Sequence, residues 1–255
     1  MASSTGRVGR GCRQLIRSHL SWGLVAVLVI VQLIPMVWAF ASNQDKSLVL
    51  SNAQASFGLN RTAFFSGSFW QVLSYALLHG NWLHLAFNAA AILLLGSKLE
   101  HIISRRSYLL LFLYAILAGA IAFLLLCSRH ENHTLVGASS VCFAFLVLLT
   151  TLSPDSRFLP VFLSGKTVGL GIILTTLLLA LMNPSLPTGP LAAAGEYLSN
   201  QGVADLFKIS HACHFGGAVT GWIYGKYLLR PRVTLESLRL AREKSEQSAK
   251  PPSPN

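Results

Sequence analysis

The sequence predicts an all-α membrane protein built as a bundle of six transmembrane helices, and three observations lead there. Of its 255 residues 53% are hydrophobic and only 11% charged, with a mean hydropathy of +0.54, whereas an ordinary soluble domain carries roughly a quarter charged residues. Six apolar runs of about span length follow one another along the chain. The basic residues fall mainly into alternate connections between those runs, as the positive-inside rule requires of a multi-span protein. A soluble globular domain, a disordered chain and a disulfide scaffold are excluded by the composition. Cys12, Cys127, Cys142 and Cys213 are far apart with no CxxC and read as small apolar fillers.

The first run, Trp22 to Phe40, has nineteen residues without a charge, about 28 Å as a helix against a hydrocarbon core of about 30 Å. Pro35 predicts a kink in it. Arg7, Arg10, Arg13 and Arg17 precede the run and Ala39-Phe40-Ala41 resembles a signal-peptide cleavage site. The apolar stretch is nevertheless longer than a signal peptide's core of about 7–15 residues, so it is read as a retained span. Further spans are expected at Val72–Leu95, Tyr108–Cys127, Val136–Leu152, Val168–Met182 and His211–Leu229. The fourth and fifth are short, which suits helices enclosed by neighbours. Between the first two runs, the segment Ala41–Phe69 carries Phe57, Leu59, Phe64, Phe65 and Phe69 and reads as a piece lying in the membrane interface. The chain then divides into a basic N-terminal segment (1–21), a six-span domain (22–230) and a polar tail (231–255) expected to be frayed despite a possible short helix at Leu235, Leu238 and Ala241.

With six spans both termini share one side. That side would hold sixteen Lys and Arg residues; the other would hold only Lys46, Arg61, Arg129 and Lys208. Both termini are therefore expected in the cytoplasm, and most of the formal charge of +11 becomes an orientation signal. No basic cluster comes with stacking aromatics on a soluble module, so nucleic acid is not an expected partner.

Polar side chains within spans are costly and need partners or a task. In the second run, His84 and Asn88 are four residues apart and share a helix face. His79 precedes His84 by five positions, about 140° around a helix, and is read as structural. The fourth run opens with Gly137-Ala138-Ser139-Ser140, putting serine hydroxyls in the first helical turn. In the sixth, His214, Gly217, Gly221 and Gly225 form one stripe along which a neighbouring helix can approach closely. If that neighbour is the fourth span, His214 meets Ser139, and an imidazole beside a hydroxyl is the pair that nucleophilic catalysis needs. Phe143, one turn after Ser139, can pack on the imidazole. The N–H groups at the start of the fourth helix suit an oxyanion, and His84 and Asn88 can add donors. His211 reads as a rim residue, and His101, His130 and His133 as loop residues facing solvent.

From Trp70 to Gly225 these motifs resemble the rhomboid family of intramembrane serine proteases. Its H-x-x-x-N matches His84-Leu85-Ala86-Phe87-Asn88, its serine motif Gly137-Ala138-Ser139-Ser140, and its A-H-x-x-G-x-x-x-G the segment Cys213 to Gly221. Glu100 matches the acidic residue that follows the second span. The resemblance implies a six-helix rhomboid-like bundle, a Ser139–His214 dyad without a third carboxylate, and an oxyanion hole formed by His84, Asn88 and the Ser139 N–H. Three residues depart from the family pattern. Gln71 replaces the arginine credited with anchoring the outer loop. Ser140 stands where glycine is usual and can crowd the oxyanion site or add a donor. Phe143 replaces a tyrosine.

Taken singly, each of these residues has a plain structural explanation; their joint occurrence at the same ends of their spans points to catalysis. The expectation is an intramembrane serine endopeptidase that cleaves transmembrane proteins near the outer membrane face. It would need no cofactor and no metal, with the lipid bilayer and transmembrane substrates as partners. The alternative is a non-catalytic rhomboid-like binder of transmembrane helices, against which the intact serine and histidine weigh. A metalloprotease using His79, His84, His211 and His214 lacks an HExxH and a nearby carboxylate. The compact chain suggests the inner membrane of a bacterium; the Arg-rich, acid-free start also fits a mitochondrial targeting segment.

Overall fold

The computed structural model describes residues 19–126, 133–158, 162–186, 189–230 and 235–248. Most of the basic N-terminal segment, Cys12, Cys127, His130 and the Pro-rich end lie outside them. The chain is an all-α membrane bundle whose six principal helices are α1 (His19–Ala41), α3 (Trp82–Ile102), α4 (Arg105–Leu126), α5 (Ser139–Leu152), α6 (Gly165–Leu181) and α8 (His211–Leu228). Helices α2 (Lys46–Phe57) and α7 (Pro190–Leu198) lie in connections, and the tail forms α9 (Leu235–Ser248), where fraying was the expectation. By length and composition α1, α3 and α4 can each cross a membrane, while α5 and α6 are shorter apolar helices. Helix α5 is the enclosed one: Val141, Ala144, Phe145 and Leu148 are fully buried, packed with α4 and α8 around a core that includes Tyr75, Tyr108 and Phe123.

The second span departs from its expected limits by about ten residues. The apolar run from Val72 is broken: Gln71–Ser74 and Tyr75–Leu77 are single turns, Leu78 is extended, and α3 begins only at Trp82. The Asn81 side chain accepts the His84 N–H at 2.8 Å, satisfying one of the donors that a helix start leaves open. At its other end α3 continues past Leu95 through a wide π-type turn at Ile92–Gly96 and carries Glu100 in its last turns.

Glu100 is what joins this end of α3 to the start of α1. Its carboxylate accepts the Leu20 N–H at 3.1 Å, the Ser21 N–H at 2.6 Å and the Ser21 hydroxyl at 2.5 Å. It thereby satisfies, from a neighbouring helix, donors in the first described turn of α1. The Ser21 and Tyr108 hydroxyls are 3.0 Å apart, bringing in α4. Glu100→Ala is expected to cost about 3 kcal/mol, since three charge-assisted bonds are lost and the donors stay buried. The midpoint of thermal unfolding in detergent should fall by roughly 6–12 °C; an unchanged midpoint would show the cap to be dispensable.

On the opposite, serine-bearing side the connection from α1 to α3 is folded onto the site. Asp45 caps α2: its carboxylate accepts the Ser47 hydroxyl and the Ser47 and Leu48 N–H groups, bonds that hold its pKa below the ordinary range. After α2, β1 (Leu59–Asn60) pairs antiparallel with β2 (Thr134–Leu135), Leu59 opposite Leu135, which ties this connection to the strand leading into α5. Gln71, buried, receives the Asn60 N–H on Oε1 at 3.1 Å and donates to the Ala55 carbonyl at 3.3 Å. Trp70 Nε1 donates to the Ser56 carbonyl at 3.0 Å and the Ser74 hydroxyl to that of Phe57 at 2.6 Å. A neutral amide between an indole and a hydroxyl thus anchors the loop where the family pattern has an arginine.

Candidate active site

Ser139 is the first residue of α5, preceded by Ala138 and by Gly137 at φ +113°. That left-handed backbone turns β2 into α5, and glycine adopts it without penalty. The Gly137 N–H donates to the Tyr75 carbonyl at 2.9 Å, so the turn before Ser139 rests on the segment before α3. A methyl group on Gly137 would lie 2.5 Å from Cε1 of His84 and 2.6 Å from its Nε2. The imidazole of His84 therefore lies directly against the backbone that carries Ser139.

From the other side α8 presses its glycine stripe onto α5. A Cβ on Gly217 would sit 2.0 Å from the Ser140 carbonyl oxygen, and one on Gly221 2.3 Å from that of Ala144. Only backbone against backbone fits there. The stripe predicted from residue spacing is thus in contact with the fourth span, and it carries His214 to Ser139: Nε2 and Oγ are 2.8 Å apart. Phe143 stacks on the His214 ring with centroids 4.3 Å apart and planes 16° from parallel. His211 meets the same ring edge-on at 6.0 Å, and its own Nε2–H donates to the Leu206 carbonyl at 2.8 Å. His211 is consequently a buried flank of the His214 ring instead of a rim residue.

Asn88 is buried beneath His84, one helical turn on. Its Oδ1 faces the Cys142 thiol at 3.6 Å, while its Nδ2 is buried with no hydrogen-bond partner among the described residues, 3.4 Å from the position of a Gly137 Cβ. A buried donor left open is uncommon, and a site that receives a transient acceptor explains one. α5 also starts without a side-chain cap, so its first-turn N–H groups add to a region poor in acceptors.

Ser140 neither crowds this region nor contributes to it. Its side chain points the other way, fully buried, with Oγ 3.2 Å from the Tyr75 hydroxyl. Tyr75 donates its own proton to the Ile116 carbonyl at 2.9 Å, so it is Ser140 that donates to Tyr75. The Cys213 thiol completes the group at 3.7 Å, and Gly119 of α4 makes the room: a Cβ there would lie 2.8 Å from both Tyr75 and Ser140. This cluster links the neighbours in sequence of Ser139 and His214 to one another.

His79 differs from its helical-wheel placement. It precedes α3, so the spacing of five residues says nothing about its direction, and its ring lies edge-on to that of His84 at 5.1 Å. Gln32 of α1, which sequence reading passed over, holds this segment by accepting the His79 N–H at 3.2 Å. A glutamine in the middle of an apolar span is itself a signal. His101 lies in the last turn of α3, not in a loop, with Nδ1 2.7 Å from the Ser97 carbonyl oxygen.

The arrangement brings a hydroxyl, an imidazole and a set of unpaired donors together at one end of a membrane bundle. No curated protein sequence matches the chain significantly. The Rhomboid domain family model matches residues 66–231, which takes in α3 to α8 and with them Ser139, His214, His84 and Asn88. By that match the chain belongs to the rhomboid family, whose members are intramembrane serine proteases or inactive homologues of them.

Proposed function

We propose that this protein is an active intramembrane serine endopeptidase that uses Ser139 and His214 as a catalytic dyad. The observation that carries the proposal is the 2.8 Å contact between Ser139 Oγ and His214 Nε2, with the ring clamped by Phe143. In the first half-reaction His214 takes the hydroxyl proton while Oγ attacks the scissile carbonyl. The same proton passes to the leaving amine as the C–N bond breaks, leaving an acyl-enzyme on Ser139. In the second half-reaction His214 takes a proton from water, whose hydroxide attacks the ester, and returns that proton to Oγ as the bond from Oγ to the acyl carbon breaks and the carboxylic acid product leaves. The carbonyl oxygen becomes negative in both halves. The Ser139 N–H, the Asn88 amide and His84 are the donors proposed to receive it.

Among the described residues no carboxylate partners His214, which makes packing its orienter, and Phe143 and His211 supply that packing from two sides. A substrate helix hides its carbonyls in its own hydrogen bonds, so it must unwind locally before attack. Small or helix-breaking residues around the cut are expected for that reason. With the termini in the cytoplasm, as the distribution of basic residues favours, the site opens toward the exterior side of a bacterial inner membrane.

The direct test is to reconstitute the purified protein with a single-span model substrate and to expose it separately to a fluorophosphonate probe. Cleavage, together with probe mass on the peptide containing Ser139, is the expected result. Absence of both across several substrates would leave a rhomboid-like binder of transmembrane helices as the better account. Asn88→Ala is expected to lower kcat by about 10²–10³-fold with little change in KM, because the amide would act only once charge develops. An equal loss distributed into KM would assign Asn88 to substrate binding instead.

A further inference from the structure

The geometry points to a binding site for an anionic phospholipid in the groove between α6 and α8, one acyl chain lying in the groove and the headgroup phosphate held by Lys166 and Lys226. The groove has a volume of about 650 Å³. Its walls are Leu170, Ile173 and Leu177 of α6 and Phe215, Val219 and Trp222 of α8. Its floor is the end of α5, where the only polar side chains, Thr150 and Thr151, both turn their hydroxyls back onto the Val147 carbonyl at 2.8 Å. No side-chain hydroxyl on the floor is left open to the groove, so the surface presented to an occupant is hydrocarbon.

Length and charge select the occupant. Phe215 and Lys226 are eleven residues apart on α8, about 16 Å of helix, which is close to half of a hydrocarbon core about 30 Å thick. That is the depth of one leaflet, so the groove suits a lipid chain entering from the side opposite Ser139 and stops short of the span a transmembrane helix would need. At that side both lysines line the mouth and are exposed, and among the described residues neither makes an ion pair. Lys166 occupies the first turn of α6, where the helix's positive end opposes a cation. The first N–H groups of α6 are taken by the Ser156 and Pro154 carbonyls and the Ser164 hydroxyl, so it is the two ammonium groups that are gathered at the level where a phosphate lies, and Trp222 stands on the wall below them.

Trp222 provides a reporter that does not depend on catalysis. The full-length protein is reconstituted in phosphatidylcholine bilayers containing either brominated-chain phosphatidylglycerol or brominated-chain phosphatidylcholine as quencher. The wild type should be quenched more strongly by the anionic lipid, and this excess should vanish in Trp222→Phe. In Lys166→Gln and Lys226→Gln the preference should fall about fivefold per lysine removed, with circular dichroism and the thermal midpoint unchanged. Equal quenching by the two lipids in the wild type would overturn the site, as would an excess that survives in Trp222→Phe or in the double lysine variant.

Discussion

Ser139→Ala is expected to bring cleavage of a reconstituted single-span substrate to the uncatalysed background, and His214→Ala to lower it by about 10⁴-fold, the upper range for a positioned general base. The reasoning is that serine without a base holds its proton too tightly to attack, and histidine without the serine has no nucleophile to activate. In the proposed mechanism both act in one step, so the double variant should be no slower than Ser139→Ala alone. Neither change should unfold the protein. Ser139 is only half-buried, and its hydroxyl is bonded to His214. The loss on His214→Ala is a stacked ring contact with Phe143, worth about 0.5–1.5 kcal/mol. Cleavage rates measured beside circular dichroism and thermal midpoints separate the two effects. Either single variant cleaving at the wild-type rate would remove the dyad from the mechanism.

The relative placement of the candidate site residues was legible in the sequence where geometry is local to one helix. The stripe His214, Gly217, Gly221 needs only helical periodicity to be seen, and it does face α5. His84 and Asn88 share a face of α3 for the same reason, and Phe143 stands one turn from Ser139. The expected runs Val136–Leu152 and His211–Leu229 lie within about three residues of α5 and α8 at each end.

What was not legible depends on partners distant in the chain. From Val72 to Leu78 only Ser74 interrupts the apolar run, but Tyr75 is turned inward to meet Ile116, Ser140 and Cys213, and no local pattern announces that. The same holds for Gln71, whose partners are backbone groups eleven to sixteen residues away, and for Glu100, whose partners are about eighty residues away. The wheel argument for His79 failed because it assumed a helix that begins only at Trp82. Asn81, a good helix cap followed by an apolar run, was the available sign.

Gly217→Ala tests the one contact on which the position of His214 relies most. In an ordinary helix the exchange of glycine for alanine is favourable by roughly 1 kcal/mol. Here the sign reverses, because the new methyl group would lie 2.0 Å from the Ser140 carbonyl oxygen, 2.7 Å from its carbon and 2.8 Å from its Cα. All three are backbone atoms of the enclosed helix α5, so no rotamer can make way; the helices must separate by more than an ångström. A displacement of about 1 Å in a reacting group costs about 10²-fold in rate, and the 2.8 Å bond between Ser139 and His214 has no slack to absorb it. Gly217→Ala is therefore expected to lose at least that factor in both substrate cleavage and fluorophosphonate labelling, with a lower thermal midpoint. Gly171→Ala is the matched control: it lies in the middle of α6 with nothing within 4 Å of a Cβ, and the same substitution there should leave the rate unchanged and the midpoint unchanged or raised. If Gly217→Ala behaves as Gly171→Ala does, close packing of α8 on α5 is not what sets the dyad.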